Sequence, residues 1–249
     1  MGMIAFWSTM SLNMPDFTRF GSGQRQQVVG QVLGLPTTMT FFSLLAVLIT
    51  AASQKIYGAP IWDPIQLSGK FHSPIVIGFA LFTVVVATLA VNVAANTVSP
   101  SYDFSNLAPR FVSFRTGGLI TCAMGIAMQP WKLMANYGSY IFGWLVGYSG
   151  FLGPIAGVLI CDYFVVRKKI LSSEDLYQRG GQYEYSHGFN WQAIAALAGG
   201  AAVAFIGLLV PPLHILYNYA WFVGFAVSFF TYFTLMRIRN PQPVPQAAD

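Results

Sequence analysis

Apolar runs separated by short polar connections organise this chain from end to end. The longest charge-free run, PIVIGFALFTVVVATLAVNVAAN from Pro74 to Asn96, is long enough to cross a bilayer as a helix. Similar runs predict spans over about Val28–Ser53, Gly117–Gln129, Tyr137–Val165, Trp191–Val210 and Leu213–Met236. The opening run GMIAFWSTMSLNM stops at Pro15-Asp16, short of the roughly 20 residues a span needs. It has no basic n-region or small-residue cleavage site, which argues against a signal peptide. It is expected to be the second part of a span whose beginning is absent, which makes seven spans with the first incomplete.

The connections carry their own signals. KIYGAPIWDPIQLSGKFHS is too polar to span and predicts an ordered loop with a short helix. After NVAANTVSP the chain is expected to break at Pro100 into SYDFSNLAPRFVSFRTGG, whose mix of charge and phenylalanine suits a short interfacial helix. Gln129-Pro130-Trp131-Lys132 divides two spans, and Pro211-Pro212 divides two more. RKKILSSEDLYQRGGQYEYSHGFN reads as a polar loop and RIRNPQPVPQAAD as a disordered tail.

Composition agrees with an integral membrane protein. Charged residues make up 8% of the chain and hydrophobic residues 55%, whereas a soluble domain carries about 25% charged residues. The net charge of +5 is therefore a topological signal, and nucleic acid is excluded as a partner. Ten of the thirteen Lys and Arg residues (Arg19, Arg25, Arg110, Arg115, Arg167, Lys168, Lys169, Arg179, Arg237 and Arg239) fall on one side of alternating spans. Lys55, Lys70 and Lys132 fall on the other. The positive-inside rule makes the first side cytoplasmic, placing loops near 14–27, 98–116 and 166–190 and the carboxyl terminus there.

No nucleophile–base pair, phosphate-binding motif or metal-ligand set is present, so an enzyme and a metal site are both disfavoured. Cys122 and Cys161 lie in apolar runs and read as small core residues, while His72, His187 and His214 are scattered. Asp162 is the one carboxylate near an apolar run. It reads as an interfacial anchor for the basic Arg167, Lys168 and Lys169, with a proton relay as the other reading.

Thr88, Asn92 and Asn96 stand four residues apart and share one helix face. Carboxamides at membrane depth need partners, so the row is either hydrogen-bonding glue between helices or part of a ligand site. Small neighbours at Ala87, Ala90, Ala94 and Ala95 allow a close approach. Trp7, followed by Ser8, Thr9, Ser11 and Asn13, is either an interfacial belt residue or a ring that stacks on a flat heterocycle. Trp62, Trp131, Trp191 and Trp221 sit near span ends and read as belt residues.

LNMPDFTRF (Leu12 to Phe20), NVAANTVSPSYDFSNLAPRFVSFRTGG (Asn92 to Gly118), CDYFVVRKK (Cys161 to Lys169) and the DLYQRGGQYEY loop resemble the nucleobase–cation symporter-1 family, above all its bacterial branch. The resemblance covers essentially the whole chain. It implies an all-α membrane fold of the inverted-repeat, LeuT type, of which this chain matches spans six to twelve. Residues 1–165 would then form the second five-helix repeat, 166–190 a cytoplasmic loop, 191–236 two peripheral helices and 237–249 the tail. Within the repeat, 74–97 would be the binding-site helix and 98–116 a cytoplasmic connection.

The same resemblance implies roles for single residues. Trp7 would stack on a flat ring, Asn96 would hydrogen-bond it, and Asn92 would support Asn96. Ala87, Thr88, Ala90 and Val91 fall in the region where sodium-coupled relatives hold the ion. Ala90 and Val91 replace residues that supply side-chain oxygens, so sodium ligation is disfavoured and a proton becomes the expected coupling cation, with no other cofactor. The expected function is the carboxy-terminal half of a symporter in the plasma (inner) membrane. It would import an allantoin-, hydantoin-, purine- or pyrimidine-like heterocycle by alternating access, with the lipid bilayer and a missing amino-terminal half as partners. The competing expectation is a non-transporting membrane protein, or a subunit that needs a partner to supply the first half.

Overall fold

The computed structural model describes residues 2–136, 138–172, 174–176, 178–186 and 188–239. The expected start of a span at Tyr137, His187 and the tail from residue 240 lie outside the described residues. The described residues are mostly helical, with no strand among them beyond an isolated bridge between Ser186 and Phe189.

Five helices are long and apolar enough to cross a membrane: Gln24–Tyr57, Pro74–Leu107, Gly143–Val166, Trp191–Leu209 and Ala220–Ile238. The other two expected spans are shorter helices, α1 (Gly2–Asn13) and α7 (Phe114–Ala127). At 1.5 Å per residue, neither α1 nor α7 reaches the roughly 30 Å of a hydrocarbon core. The chain divides into two compact units, residues 1–12 with 129–249, and residues 13–128.

In the unit 13–128, α2 (Pro15–Thr18) leads into the long α3 (Gln24–Tyr57). Pro36 sits inside α3 without ending it, and the hydroxyls of Thr37 and Thr38 fold back on Leu33 and Gly34 carbonyls in the same turns. Gly58, at φ 76°, closes α3 in a left-handed cap. The loop that follows holds the short helix expected of it, α4 (Pro64–Ser68), capped by Asp63 Oδ1 on the Ile65 N–H at 2.8 Å. Ser53 Oγ accepts the Ile61 N–H at 2.8 Å and so ties this loop back to α3.

One expectation for this unit fails. Pro100 does not end the helix: α5 (Pro74–Asn92) continues through a π-helical turn, Val93–Val98, into α6 (Ser99–Leu107). A proline removes one donor and displaces one carbonyl, and the widened turn just before it absorbs that change. The segment expected as a separate interfacial helix is thus an extension of the span. Ser113 caps α7, which packs on α6 so closely that a Cβ at Gly117 would lie 2.7 Å from the Ser101 carbonyl oxygen.

In the other unit, α8 (Pro130–Met134) follows Gln129, whose φ of 50° makes the turn expected at this Pro-Trp step. A π-helical segment, Ser139–Leu145, leads into α9 (Val146–Ile160), which ends in a second π-turn, Cys161–Val166. Asn190 caps α10 (Trp191–Leu209), and a 3₁₀ turn at Pro211–Leu213 with α11 (His214–Asn218) leads into α12 (Ala220–Arg239). Small residues let α9, α10 and α12 touch backbone to backbone. A Cβ at Gly153 would lie 2.2 Å from the Trp221 carbonyl oxygen, and one at Gly157 would lie 2.5 Å from that of Phe225. Cys161 is fully buried here with Val158, Ala196, Tyr232 and Met236, as a small core residue should be, whereas Cys122, expected in the same role, is exposed on α7. Trp221 departs from its expected belt role: it is half-buried, stacked on Phe225 at 5.4 Å, with its backbone against Gly153. Trp62, Trp131 and Trp191 are exposed at 61%, 58% and 58%.

Candidate substrate-binding site

The polar row lies on α5 and in the π-turn after it. Asn96 Nδ2 donates to Asn92 Oδ1 at 2.9 Å, and Asn92 Nδ2 donates to the Thr88 carbonyl at 2.9 Å. The structure therefore brings Thr88, Asn92 and Asn96 together as a relay along one helix face. Each link is an i to i+4 contact, and Asn92 and Asn96 are both exposed. Among the described residues, no other element supplies the row with a hydrogen bond. Asn92 commits one amide hydrogen to the Thr88 carbonyl and its oxygen to Asn96, while the Asn96 carbonyl oxygen and its second amide hydrogen stay available to an external partner.

Asn96 stands in the π-turn Val93–Val98. Such turns widen the helix, interrupt the regular backbone ladder and occur often at functional sites. The sequence signal for it is faint: two apolar residues and a small one around a carboxamide, shortly before a proline. Ser99, at the end of the turn, is fully buried, and its Oγ has no partner among the described residues.

Ala87, Thr88, Ala90 and Val91 are all exposed on α5. Ala90 and Val91 bring no side-chain oxygen, and the Thr88 carbonyl is already engaged by Asn92. Among the described residues, no group of three His, Cys, Asp or Glu side chains lies together as a metal site.

Trp7 belongs to α1 in the other compact unit. Its ring is half-buried and meets Phe6 edge-on at 5.4 Å, and its indole Nε1 is buried without a partner among the described residues. A buried donor left unpaired is uncommon and costs about 1–3 kcal/mol. Ser8 and Ser11 are satisfied within α1, donating to the Ala5 and Ser8 carbonyls.

Asp162 resolves in favour of the anchor. It accepts from Arg167 Nε at 2.6 Å and from Tyr232 Oη at 2.7 Å. Arg167 also donates to Tyr185 Oη at 2.6 Å and lies over the Tyr183 ring at 4.4 Å. Burial works to lower the pKa of Arg167, but the hydrogen bond and charge of Asp162, with Tyr185 and Tyr183, raise it above its ordinary value. Both carboxyl oxygens of Asp162 are engaged, Oδ2 by Arg167 and Oδ1 by Tyr232, which is the arrangement of an anchor.

Sequence reasoning left two interacting residues unassigned, Arg19 and Tyr102. Arg19 lies over the Tyr102 ring at 4.0 Å and the Phe20 ring at 4.9 Å. In the sequence Arg19 counts only as a cytoplasmic-side charge within PDFTRF, and Tyr102 only as part of the SYDFSN motif.

Comparison with known proteins fits these features. Residues 1–224 match the model of a family described as permeases for cytosine/purines, uracil, thiamine and allantoin. The chain is 45% identical to the allantoin permease of Bacillus subtilis over 96% of its own length and 49% of the permease. It is 37% identical to the purine-uracil permease NCS1 of Arabidopsis thaliana, over 94% of its length and 41% of that protein. Among solved structures it resembles Mhp1, a nucleobase-cation-symport-1 family transporter, in a closed conformation with bromovinylhydantoin bound. The TM-score is 0.73 and the identity 28%, over 95% of this chain and 51% of the other. The chain thus spans about half the length of the curated relatives it matches. With this family match added to the membrane helices and the inverted-repeat likeness, the chain belongs to the nucleobase–cation symporter-1 family of multi-pass membrane permeases, whose members are transporters and not enzymes.

Proposed function

We propose that this chain supplies the carboxy-terminal half of a secondary symporter that imports a flat, amide-bearing heterocycle with a cation by alternating access. The observation that carries this reading is the relay ending at Asn96: a carboxamide is held in place from within its own helix while its remaining hydrogen-bonding groups stay free. Such a group can read the C=O and N–H edge of an allantoin-, hydantoin-, purine- or pyrimidine-like ring. A polar site left unpaired by the wrong ligand discriminates strongly. Trp7 would supply the aromatic face, with Asn92 holding Asn96.

In this reading residues 1–165 are the second repeat, 191–236 two peripheral helices, and the lysine- and arginine-rich loops face the cytoplasm of the inner membrane. The absence of side-chain oxygens at Ala90 and Val91 supports a proton over sodium as the coupling ion. None of the apolar stretch of Gln24–Tyr57 or Pro74–Leu107 is buried within the chain, which supports further protein as a partner there beside lipid. Radiolabelled uptake tests the reading. This chain joined to the amino-terminal half of a family member is expected to import at least one of allantoin, hydantoin, uracil or cytosine, and the chain alone none. Failure of the joined protein to take up any family heterocycle would contradict the proposal.

A further inference from the structure

The two helices assigned to the substrate continue into segments that meet. Shortly after α1, which carries Trp7, the chain turns through α2, and Arg19 caps that helix with its N–H on the Pro15 carbonyl at 3.1 Å. The rod that carries Asn96 runs on without a break to Leu107, and Tyr102 lies on its extension α6. Arg19 places its guanidinium 4.0 Å from the centre of the Tyr102 ring. Tyr102 is backed by Phe114 at the start of α7, with ring centres 4.6 Å apart. Gln27 Nε2 donates to the Thr18 carbonyl from the first turn of α3, which pins the segment from its other side. Among the described residues the one ion pair is Arg167 with Asp162, so Arg19 holds its place by cation–π contact instead.

We propose that Arg19 and Tyr102 form a latch tying the connection behind the Trp7 helix to the far end of the Asn96 helix, and that Arg19 is a positioning residue for transport. This rests on the transport reading above. Arg19 does not touch the substrate residues. It couples the motion of the 13–23 connection to that of the Asn96 helix, because a displacement of this segment must be shared with α6 while the latch is closed. Arg19 is exposed and Tyr102 half-buried, so the contact is weak enough to open within a transport cycle. Backbone bonds at Phe17, Thr18, Arg19 and Gly21 give the latched segment a local fold whose opening can be read directly.

A double-mutant cycle on the joined transporter tests this with two readouts. The first is amide hydrogen exchange over residues 14–23 in detergent or nanodiscs, which requires no substrate. Arg19→Ala and Tyr102→Leu are each expected to speed exchange about threefold, the double variant no further, and Tyr102→Phe not at all, since it keeps the ring. The second is uptake: both disruptive variants should lower the maximal rate by about fivefold with KM within about twofold, and Tyr102→Phe should restore it. Unchanged exchange in every variant overturns the latch. Faster exchange with an unchanged maximal rate overturns the positioning role. Equal loss in Tyr102→Phe and Tyr102→Leu, or loss of folded protein in both, assigns the residues a merely structural part and also overturns it. If the joined protein transports nothing, the function proposal and the positioning role fall together. The exchange readout then still decides the latch on its own.

Discussion

Polar side chains enter apolar helices in two regions of this protein, and their partners differ. Where α9, α10 and α12 pack together, several polar groups bond to another element. Ser228 Oγ donates to the Pro154 carbonyl at 2.9 Å, Tyr232 Oη donates to Asp162, and Asn190 both caps α10 and reaches Tyr232 Oη at 3.1 Å. On α5 the bonds of Asn92 and Asn96 run only along their own helix, and both side chains are exposed. Burial follows the same division: 44% of the apolar window of Gly143–Val166 is buried in the chain and none of that of Pro74–Leu107. A carboxamide in a membrane helix is glue when a neighbouring helix answers it. One that is held only from within its own helix keeps bonding capacity for a partner outside, which is the condition for a site.

Substitutions in the packed region should reach stability first. Gly153→Val places new atoms against the Trp221 backbone, where even a Cβ would sit 2.2 Å away. It is expected to cost about 3 kcal/mol in detergent melting experiments. Gly78→Val on α5, where nothing lies within 4 Å, should melt with the parent protein. Equal losses at the two glycines would erase the contrast.

Asp162→Ala strands the Arg167 guanidinium, which is 13% exposed. Because the pair is not fully buried, the expected cost is about 2–3 kcal/mol, at the lower edge of that for breaking a buried ion pair. Removing Arg167 as well should return part of it. Since the pKa of Arg167 is raised in the folded state, its contribution is present at all lower pH. It fades only as pH rises through a value above the ordinary arginine range. Melting differences between the parent protein and Arg167→Ala should therefore be flat from about pH 6 to about pH 10. A loss of the difference within that window would show that the charge is not what holds the loop.

Ser228→Ala is the smallest of these changes. Membrane interhelical hydrogen bonds average about 0.6 kcal/mol, and the melting shift should be of that order, with uptake by the joined transporter unchanged. A loss of uptake would move the packed region into the transport machinery.

Much of this was legible in the sequence, for physical reasons specific to each part. The long charge-free runs announced the spans because a bilayer enforces both length and apolarity. The i, i+4 spacing of Thr88, Asn92 and Asn96 announced a shared face, and Asp162 beside Arg167 announced an ion pair. What escaped were contacts between distant residues and departures from the regular helix. Tyr232 on Asp162 joins positions far apart in the chain, and nothing local marks it. Pro100 looked like a stop because local rules count only its missing donor, whereas the π-turn at Val93–Val98 accommodates it. Trp221 looked like a belt residue by position, but Gly153 opposite it draws its backbone into the interior of the packed helices. The pairing of Arg19 with Tyr102 could not be inferred from residue type, since either alone reads as an interfacial residue.

The most direct test of the contrast is Asn96→Ala in the joined transporter, with uptake and melting temperature measured on the same preparation. Uptake is expected to be abolished while membrane insertion and melting stay at parental values, because among the described residues no other helix hydrogen-bonds Asn96. Normal uptake kinetics would remove Asn96 from the site, and a large fall in melting temperature with proportionate loss of uptake would make it glue after all.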